Sequence, residues 1–359
     1  EDKMKLTEKF KLINKILLEI NMRRKQKYDV LQIVENADWV IKEEGEYLAK
    51  NSTKVKVITG ISYCFVRNKI IHFGSFNAFI SDKRIARPHK SNKVVVTIFH
   101  IKPNDKRAER IKQGETDFVD IWHTSCNETK EVMMSLGIPE NKIVVIPLHV
   151  DKSVFHPIPD YDKKKQREKI GISEDQIVIG SFQKDGEGWE GGNKPKLIKG
   201  PDVFCDVVEK LSAKYNIFVL LTGPSRGYVK NRLKNANISY YHIMLDNAID
   251  VSKYYGLLDL YIVASRVEGG PKAIIESMAS GIPLVTTKVG MAPDLVNDGI
   301  NGMLCNIEDV EQIFMKAVEV IDNKELRKSI IKNATKTSEE YDYKLFPDKL
   351  YYNIYSKIK

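Results

Sequence analysis

No stretch of this chain approaches the roughly eighteen uninterrupted apolar residues that a membrane-spanning helix needs. The longest apolar runs, "NKVVVTIFHI" and "NIFVLLTG", have the length and β-branching of buried strands instead. Cysteine is scarce: Cys64, Cys126, Cys205 and Cys305 stand far apart and form no CxxC pair. That spacing argues against a zinc site or a disulfide framework and fits a reducing compartment. Three of these cysteines sit in apolar or mixed stretches, as small core residues do. Low-complexity tracts are missing, and 42% hydrophobic with 29% charged residues is an ordinary globular composition. The first residue is Glu1, not Met, so a preceding segment, a targeting signal included, is expected to be absent from the sequence.

What the chain does have is length and positive charge. Its 359 residues exceed what one hydrophobic core usually serves, so two domains are expected. The formal net charge is +9, but Lys is spread along the whole chain rather than gathered in stripes with aromatics. A nucleic-acid partner is therefore not expected. Two readings of the charge stay open: a solvated Lys-rich surface, and a mild attraction to anionic lipids or phosphorylated substrates. Near the start, Leu6, Phe10, Ile13, Leu17 and Ile20 recur at helical spacing. Lys3, Lys5, Lys9, Lys11, Lys15, Arg23, Arg24, Lys25 and Lys27 flank or oppose that stripe. Such a helix packs on its own domain or lies on a membrane surface, and the first is the expectation.

Apolar strand candidates then alternate with helical or loop segments. "DVLQIV", "KVKVIT", "KIIHFG", "KVVVTIFH", "VDIWHTS" and "KIVVIPLHV" form one series. "QIVIGSF", "NIFVLLTG", "ISYYHIML", "LDLYIVAS", "IPLVTT" and "NGMLC" form a second. The prolines and charge run of "HPIPDYDKKKQREK" (156–169) read as a linker between them. Short β-branched strands with longer connections indicate parallel α/β architecture. The expectation is two Rossmann-like, doubly wound domains facing across a cleft, spanning 1–157 and 158–340. A C-terminal helix over 341–359 is expected to pack back on the first. Ligands belong at the C-terminal edges of such strands.

One such edge carries "EGGPKAIIE" (268–276). Glu268 and Glu276 are eight apart, but so are Glu35 with Glu43 and Glu311 with Glu319, so spacing alone says nothing. Surroundings distinguish this copy. "LDLYIVAS", ending at Ser265, is a buried strand. Pro271 suits the first helical position, Gly281 suits the helix stop, and Gly269 and Gly270 offer bare amides at the helix mouth. Unpaired N–H groups and the helix dipole attract phosphate there, with Lys272 beside them. Carboxylates at the same edge suit hydroxyl groups, so the combination points to a sugar nucleotide. Lys199 and Gly200 precede a second helix opened by Pro201. A lysine at a helix N-terminus opposes the dipole unless an anion docks there. Lys184, Lys194 and Lys196 lie in the preceding loop. Two cationic helix mouths at neighbouring strand edges could hold a diphosphate without a metal.

The blocks "ASRVEGGPKAIIESMASGIPLVTTKVGMAPDLVNDGINGML" and "ETKEVMMSLGIPENKIVVIPLHVDKSVFHP" resemble the retaining glycosyltransferases of family four, which have the GT-B fold. The resemblance is strong over about 120–320 and weak before 90. It implies a nucleotide-diphosphate-sugar donor, with Glu268 on the transferred sugar, Glu276 on the nucleotide ribose and Lys199 on the diphosphate. It also implies retention of anomeric configuration and a histidine near the strand end occupied by His100, touching sugar or acceptor. An ordinary loop or core histidine remains the alternative for His100. His123 and Ser125 are weaker candidates at another strand end. Where the family often has Gly-Arg, this chain has Gly180-Ser181, so Lys184 is the candidate second cation.

Two motif-like stretches fail on context. "GEGWEG" (186–191) puts Glu187 and Glu190 where a dinucleotide's pyrophosphate would sit, and no helix follows. "DYD" (160–162) mimics a metal-binding pair inside the linker. No metal or other cofactor is expected. The expected activity is sugar transfer to a carbohydrate or lipid-linked acceptor hydroxyl, in cell-envelope or other glycan assembly. The expected place is the cytoplasm, with peripheral attachment to an anionic membrane left open. A sugar-nucleotide epimerase and a non-catalytic sugar-binding protein are the rival readings.

Overall fold

The structure is a computed structural model and describes residues 6–35, 40–101, 105–188 and 191–359. Lys3 and Lys5 of the N-terminal basic set, and Trp189 and Glu190 of "GEGWEG", lie outside the described residues. The chain divides into two compact units. The described residues up to Ile146, with Lys344–Lys359, form the first, and Pro147–Tyr343 forms the second.

In the first unit, β1 (Val30–Ile33), β2 (Val57–Gly60), β3 (Ile70–Phe73), β4 (Lys93–Thr97), β5 (Ile121–Thr124) and β6 (Ile143–Val145) form a parallel sheet ordered β2-β1-β3-β4-β5-β6. In the second, β7 (Ile177–Phe182), β8 (Ile217–Thr222), β9 (Ser239–Ile243), β10 (Leu260–Val263), β11 (Leu284–Thr287) and β12 (Met303–Cys305) are ordered β12-β11-β10-β7-β8-β9, again all parallel. Each strand coincides with one of the apolar runs. Six of the twelve are buried along their whole length, as strands covered on both faces must be. Chain order reverses between β1 and β3 in one sheet and between β7 and β10 in the other, and such switch points leave a crevice for a ligand. Leu31, Ile71, Phe73, Val96 and Trp122 centre the first core, and Ile179, Val219, Leu221, Ile262 and Val285 the second. Cys126, Cys205 and Cys305 are buried as small core residues, whereas Cys64 is exposed.

Three local expectations change. Helix α1 (Leu6–Arg24) forms, but Phe10, Ile13 and Leu17 of its apolar stripe are exposed, with Leu18 and Met22. The helix is held by the last residue of that stripe and by two polar residues beside it. Ile20 is buried, Glu19 accepts the Ile61 amide at 3.0 Å, and Arg23 donates to the carbonyls of Ser62 and Cys64. Second, part of the expected linker is helix α2 (Asp160–Lys169). Asp160 and Asp162 lie in its first turn and Arg167 and Lys169 in its last, matching the dipole. Lys163 and Arg167 then clamp Asp259 at 3.0 and 2.7 Å. Third, the helix after "EGGP" begins at Lys272, so Pro271 is its cap residue rather than its first helical residue.

Among the described residues no helix is long and apolar enough to cross a membrane.

Candidate active site

The β7/β10 switch point is built from two loops that end in helices. After β10 the chain runs through Ser265–Pro271 into helix α4 (Lys272–Ala279), and after β7 it runs through 183–200 into helix α3 (Pro201–Ser212). Both helices are anchored by apolar faces: Ile274, Ile275 and Met278 on one, Val203, Phe204, Val207, Val208 and Leu211 on the other. Burial of such side chains stabilises by about 1.5–3 kcal/mol each, so the two N-termini are held firmly. Gly281, in the left-handed region at φ 69°, ends α4 by donating to the Met278 carbonyl at 3.2 Å.

The loops interlock. The amides of Arg266 and Val267 donate to the Ile198 carbonyl at 2.9 and 3.2 Å. Arg266 donates bidentately to Asp202 at 2.8 and 2.7 Å and to the Leu197 carbonyl at 2.6 Å. Gly200, with φ 62°, passes so close to β10 that a Cβ there would lie 1.9 Å from the Ala264 carbonyl oxygen. On the other side, Gly290 at φ 51° lies against Gly269; a Cβ there would lie 2.5 Å from its carbonyl oxygen.

Inside this frame Lys199 Nζ donates to both oxygens of Glu268, at 2.6 and 2.7 Å, and the buried Ser265 hydroxyl donates to Glu268 Oε1 at 2.9 Å. The sequence assigned these two residues to different parts of one ligand; here they are bound to each other. Glu276, within α4, accepts the Tyr255 hydroxyl at 3.0 Å. Burial raises its carboxyl above the usual range, against the opposing pull of Lys272 and the Tyr255 hydrogen bond. Gly270, Pro271 and Lys272 are half-buried at the helix mouth, and Gly269 is buried. Lys184 lies on the rim of the β7 loop, in a cavity of about 680 Å³ that also contains Lys194 and Lys196.

His100 belongs to the first unit, exposed beyond the end of β4. His123 and Ser125 are buried. His123 Nε2 donates to the Ile146 carbonyl at 3.2 Å, so its Nδ1 accepts from the Thr97 hydroxyl at 2.9 Å. Thr97 in turn accepts from His72 Nε2 at 2.8 Å, and His72 Nδ1 accepts from the Tyr355 hydroxyl at 2.8 Å. A histidine at the centre of that chain is a core residue.

Sequence reasoning missed Arg226. It is fully buried, donates to the carbonyls of Ser181, Gln183 and Thr222 at 2.6, 2.9 and 2.8 Å, and also donates to the Ser181 hydroxyl at 3.0 Å. It forms a 3.0 Å ion pair with the buried Asp185. Nothing in "PSRGY" distinguishes this arginine from a surface one; only the fold brings it to β7.

With this geometry in place, comparison with known proteins identifies the region. Residues 195–337 match the sequence model of the glycosyl transferases group 1, and the chain carries a domain of that family. N-acetyl-alpha-D-glucosaminyl L-malate synthase of Bacillus anthracis is 23% identical over 68% of this chain and 61% of its own length. The UDP-Gal:alpha-D-GlcNAc-diphosphoundecaprenol alpha-1,3-galactosyltransferase of Escherichia coli is 27% identical over 56% of this chain and 51% of its own length. The chain thus spans little more than half the length of these relatives. Among solved structures, the Anabaena protein HepE in complex with UDP and glucose superposes with a TM-score of 0.72 at 15% identity, covering 92% of this chain and 100% of that one. The two doubly wound parallel sheets are those of the GT-B fold.

Proposed function

We propose, for a chain that carries a group 1 glycosyltransferase domain, that it moves a sugar from a nucleoside diphosphate sugar to an acceptor hydroxyl with retention of anomeric configuration. The observation that carries this reading is the meeting at one switch point of an ammonium, a carboxylate and two helix N-termini, with a second, desolvated carboxylate in one of those helices. Phosphate is drawn to the helix mouths and to Lys199 and Lys184. Glu276, with one lone pair taken by Tyr255, accepts from the ribose hydroxyls. Glu268 accepts from the sugar. Donor binding divides the Lys199 ammonium between Glu268 and the diphosphate, which keeps the carboxylate oriented while charge grows on the leaving group. The acceptor oxygen bonds to the anomeric carbon as the bond to the diphosphate breaks, on the same face. The hydroxyl proton passes to the departing phosphate oxygen. In this reading charge neutralisation comes from lysines and helix dipoles rather than from a metal.

The Escherichia coli relative, named for a diphosphoundecaprenol-linked substrate, and HepE, solved with UDP and glucose, support a nucleotide-sugar donor and a carbohydrate or lipid-linked acceptor. The setting is cell-envelope or other glycan biosynthesis. Exposed Phe10, Ile13, Leu17, Leu18 and Met22 of α1, among Lys11, Lys15 and Lys25, support peripheral attachment to an anionic membrane from the cytoplasmic side. A panel of UDP- and GDP-sugars with lipid-linked and soluble acceptors, with and without EDTA, tests the activity, read by NMR of the product's anomeric proton. Retained configuration unaffected by EDTA is expected. Donor turnover that needs no acceptor, or no turnover across the panel, contradicts the reading.

A further inference from the structure

The loop between β7 and α3 contains a feature that neither helix mouth requires. Residues 185–188 and 191–196, together termed the hairpin, are joined by an antiparallel bridge between Gly186 and Pro195. Further ties are the Glu187 amide on the Lys194 carbonyl at 2.8 Å and the Lys196 amide on the Asp185 carbonyl at 2.7 Å. The hairpin is braced from beneath. The Gly227 and Tyr228 amides donate to the Gly191 and Gly192 carbonyls at 2.7 and 2.9 Å, and the Ser225 hydroxyl to the Gly188 carbonyl at 2.9 Å. The buried Arg226–Asp185 pair sits at its base. Arg226 also holds the Ser181 and Gln183 carbonyls, so the hairpin and the end of β7 are fixed as one piece.

This arm presents the 680 Å³ cavity, lined by Lys184, Lys194, Lys196 and Glu187 together with the apolar Pro195, Leu197 and Ile198. The lysines are not equivalent. Lys194 pairs with Glu187 at 2.6 Å, and Lys199 is spent on Glu268. Lys196 is half-buried and forms no ion pair or side-chain hydrogen bond among the described residues. Its proton affinity is lowered first by burial, then by Lys199 and Lys184, with only Glu268 opposing. Half-burying an ammonium beside two others costs stability, and no ion pair or side-chain hydrogen bond among the described residues offsets it. Residues that break a local rule in this way are expected where a ligand completes the balance.

We propose that Lys196, carried on this braced hairpin, is a phosphate-binding residue that receives a phosphoryl group of the reacting molecules. The source is the diphosphate of the donor or a phosphate carried by the acceptor; the identification of those sources rests on the glycosyltransferase reading above.

Inorganic pyrophosphate is the probe, titrated by calorimetry at low salt into the full chain. Lys196→Met keeps the apolar stem and removes the charge. It is expected to weaken pyrophosphate by about tenfold or more, the contribution of one charged hydrogen bond. Lys196→Arg is expected to restore most of the affinity, and Lys194→Met to change it by less than about twofold. Melting temperatures report that each variant is folded. Lys196→Met within about twofold of the wild type, or a wild type that does not bind pyrophosphate, overturns the proposal. UDP and GDP separate the sources. Equal loss with nucleoside diphosphate, and competition between it and pyrophosphate, assigns Lys196 to the donor. Unchanged nucleotide affinity, with pyrophosphate still binding the nucleotide-saturated protein, assigns it to the acceptor. Lys196-dependent pyrophosphate binding in a protein that binds no nucleotide upholds this proposal and sinks the donor reading.

Discussion

Three glutamate pairs in this chain share a spacing of eight residues, and their surroundings separate them. Glu35 accepts from the Ser75 hydroxyl at 2.6 Å, and Glu311 pairs with Lys210 on an exposed surface. Glu35 follows β1 at the first unit's switch point, whereas Glu268 and Glu276 sit at the β7/β10 switch point beside two helix mouths that carry lysines. Lys199→Ala removes the ammonium bonded to Glu268, leaving the Ser265 hydroxyl as that carboxylate's remaining side-chain partner among the described residues. Transfer rate is expected to fall about 10²–10³-fold, as for other single charged donors to a developing anion; steady-state kinetics checks it. Glu276 carries the opposite signature. Its folded carboxyl holds a proton more tightly than the unfolded one, so the native state binds more protons. Stability is therefore lost as pH rises from the ordinary carboxyl range through the raised folded value. Glu276→Gln is expected to melt higher than the wild type at pH 7, to melt alike below the ordinary carboxyl range, and to bind nucleotide more weakly. Thermal melts at both pH values with a nucleotide titration decide; a lower melting temperature at pH 7 contradicts this.

At the scale of elements, Gly200 makes the sharpest claim. Its left-handed φ and the Ala264 carbonyl together forbid a side chain, whereas Gly299, at φ 72°, has nothing within 4 Å of an added Cβ. Gly200→Ala is expected to cost several kcal/mol in urea unfolding and to displace the α3 mouth, while Gly299→Ala costs about 1 kcal/mol, from backbone strain alone. Strands were legible because short β-branched apolar runs, here three to six residues, have few other uses in a parallel sheet. The α3 and α4 mouths were legible because Gly and Pro mark them. The exposed arc of α1 was not, because periodicity shows that a helix has an apolar stripe but not whether Glu19 and Arg23 beside it will be captured by a loop far along the chain. Helix α2 was hidden for the same reason: its charges read as solvated until Asp259 is seen between them. Arg226, Asp185 and the isolation of Lys196 are likewise products of long-range packing, which residue types do not display.

At the scale of the whole molecule, each unit has its own sensitivity. In the first, burial holds His72 well below its ordinary value and His123 down to about 4, so the unfolded chain takes up protons before the folded one does. The stability of the Tyr355–His72–Thr97–His123 chain is complete above about pH 6.5 and is lost as pH falls towards 4. Hydrogen exchange of β3, β4 and β5 is expected to lose protection over that window; pH-independent protection contradicts it. Helix α1 bears on membrane attachment. Deleting it would remove the buried Ile20 and Arg23, so Ile13→Asn with Leu17→Asn on the exposed arc is the cleaner variant. It is expected to lose binding to anionic liposomes and keep nucleotide binding, with binding retained as the contrary result. The central claim concerns the second unit: its switch point is a nucleoside diphosphate site. Calorimetry with UDP and GDP on the wild type, Lys199→Ala and Glu276→Ala tests it most directly. The account predicts that at least one nucleotide binds the wild type and that both substitutions weaken it by about tenfold or more. Silence with both nucleotides, or affinity untouched by either substitution, would contradict it.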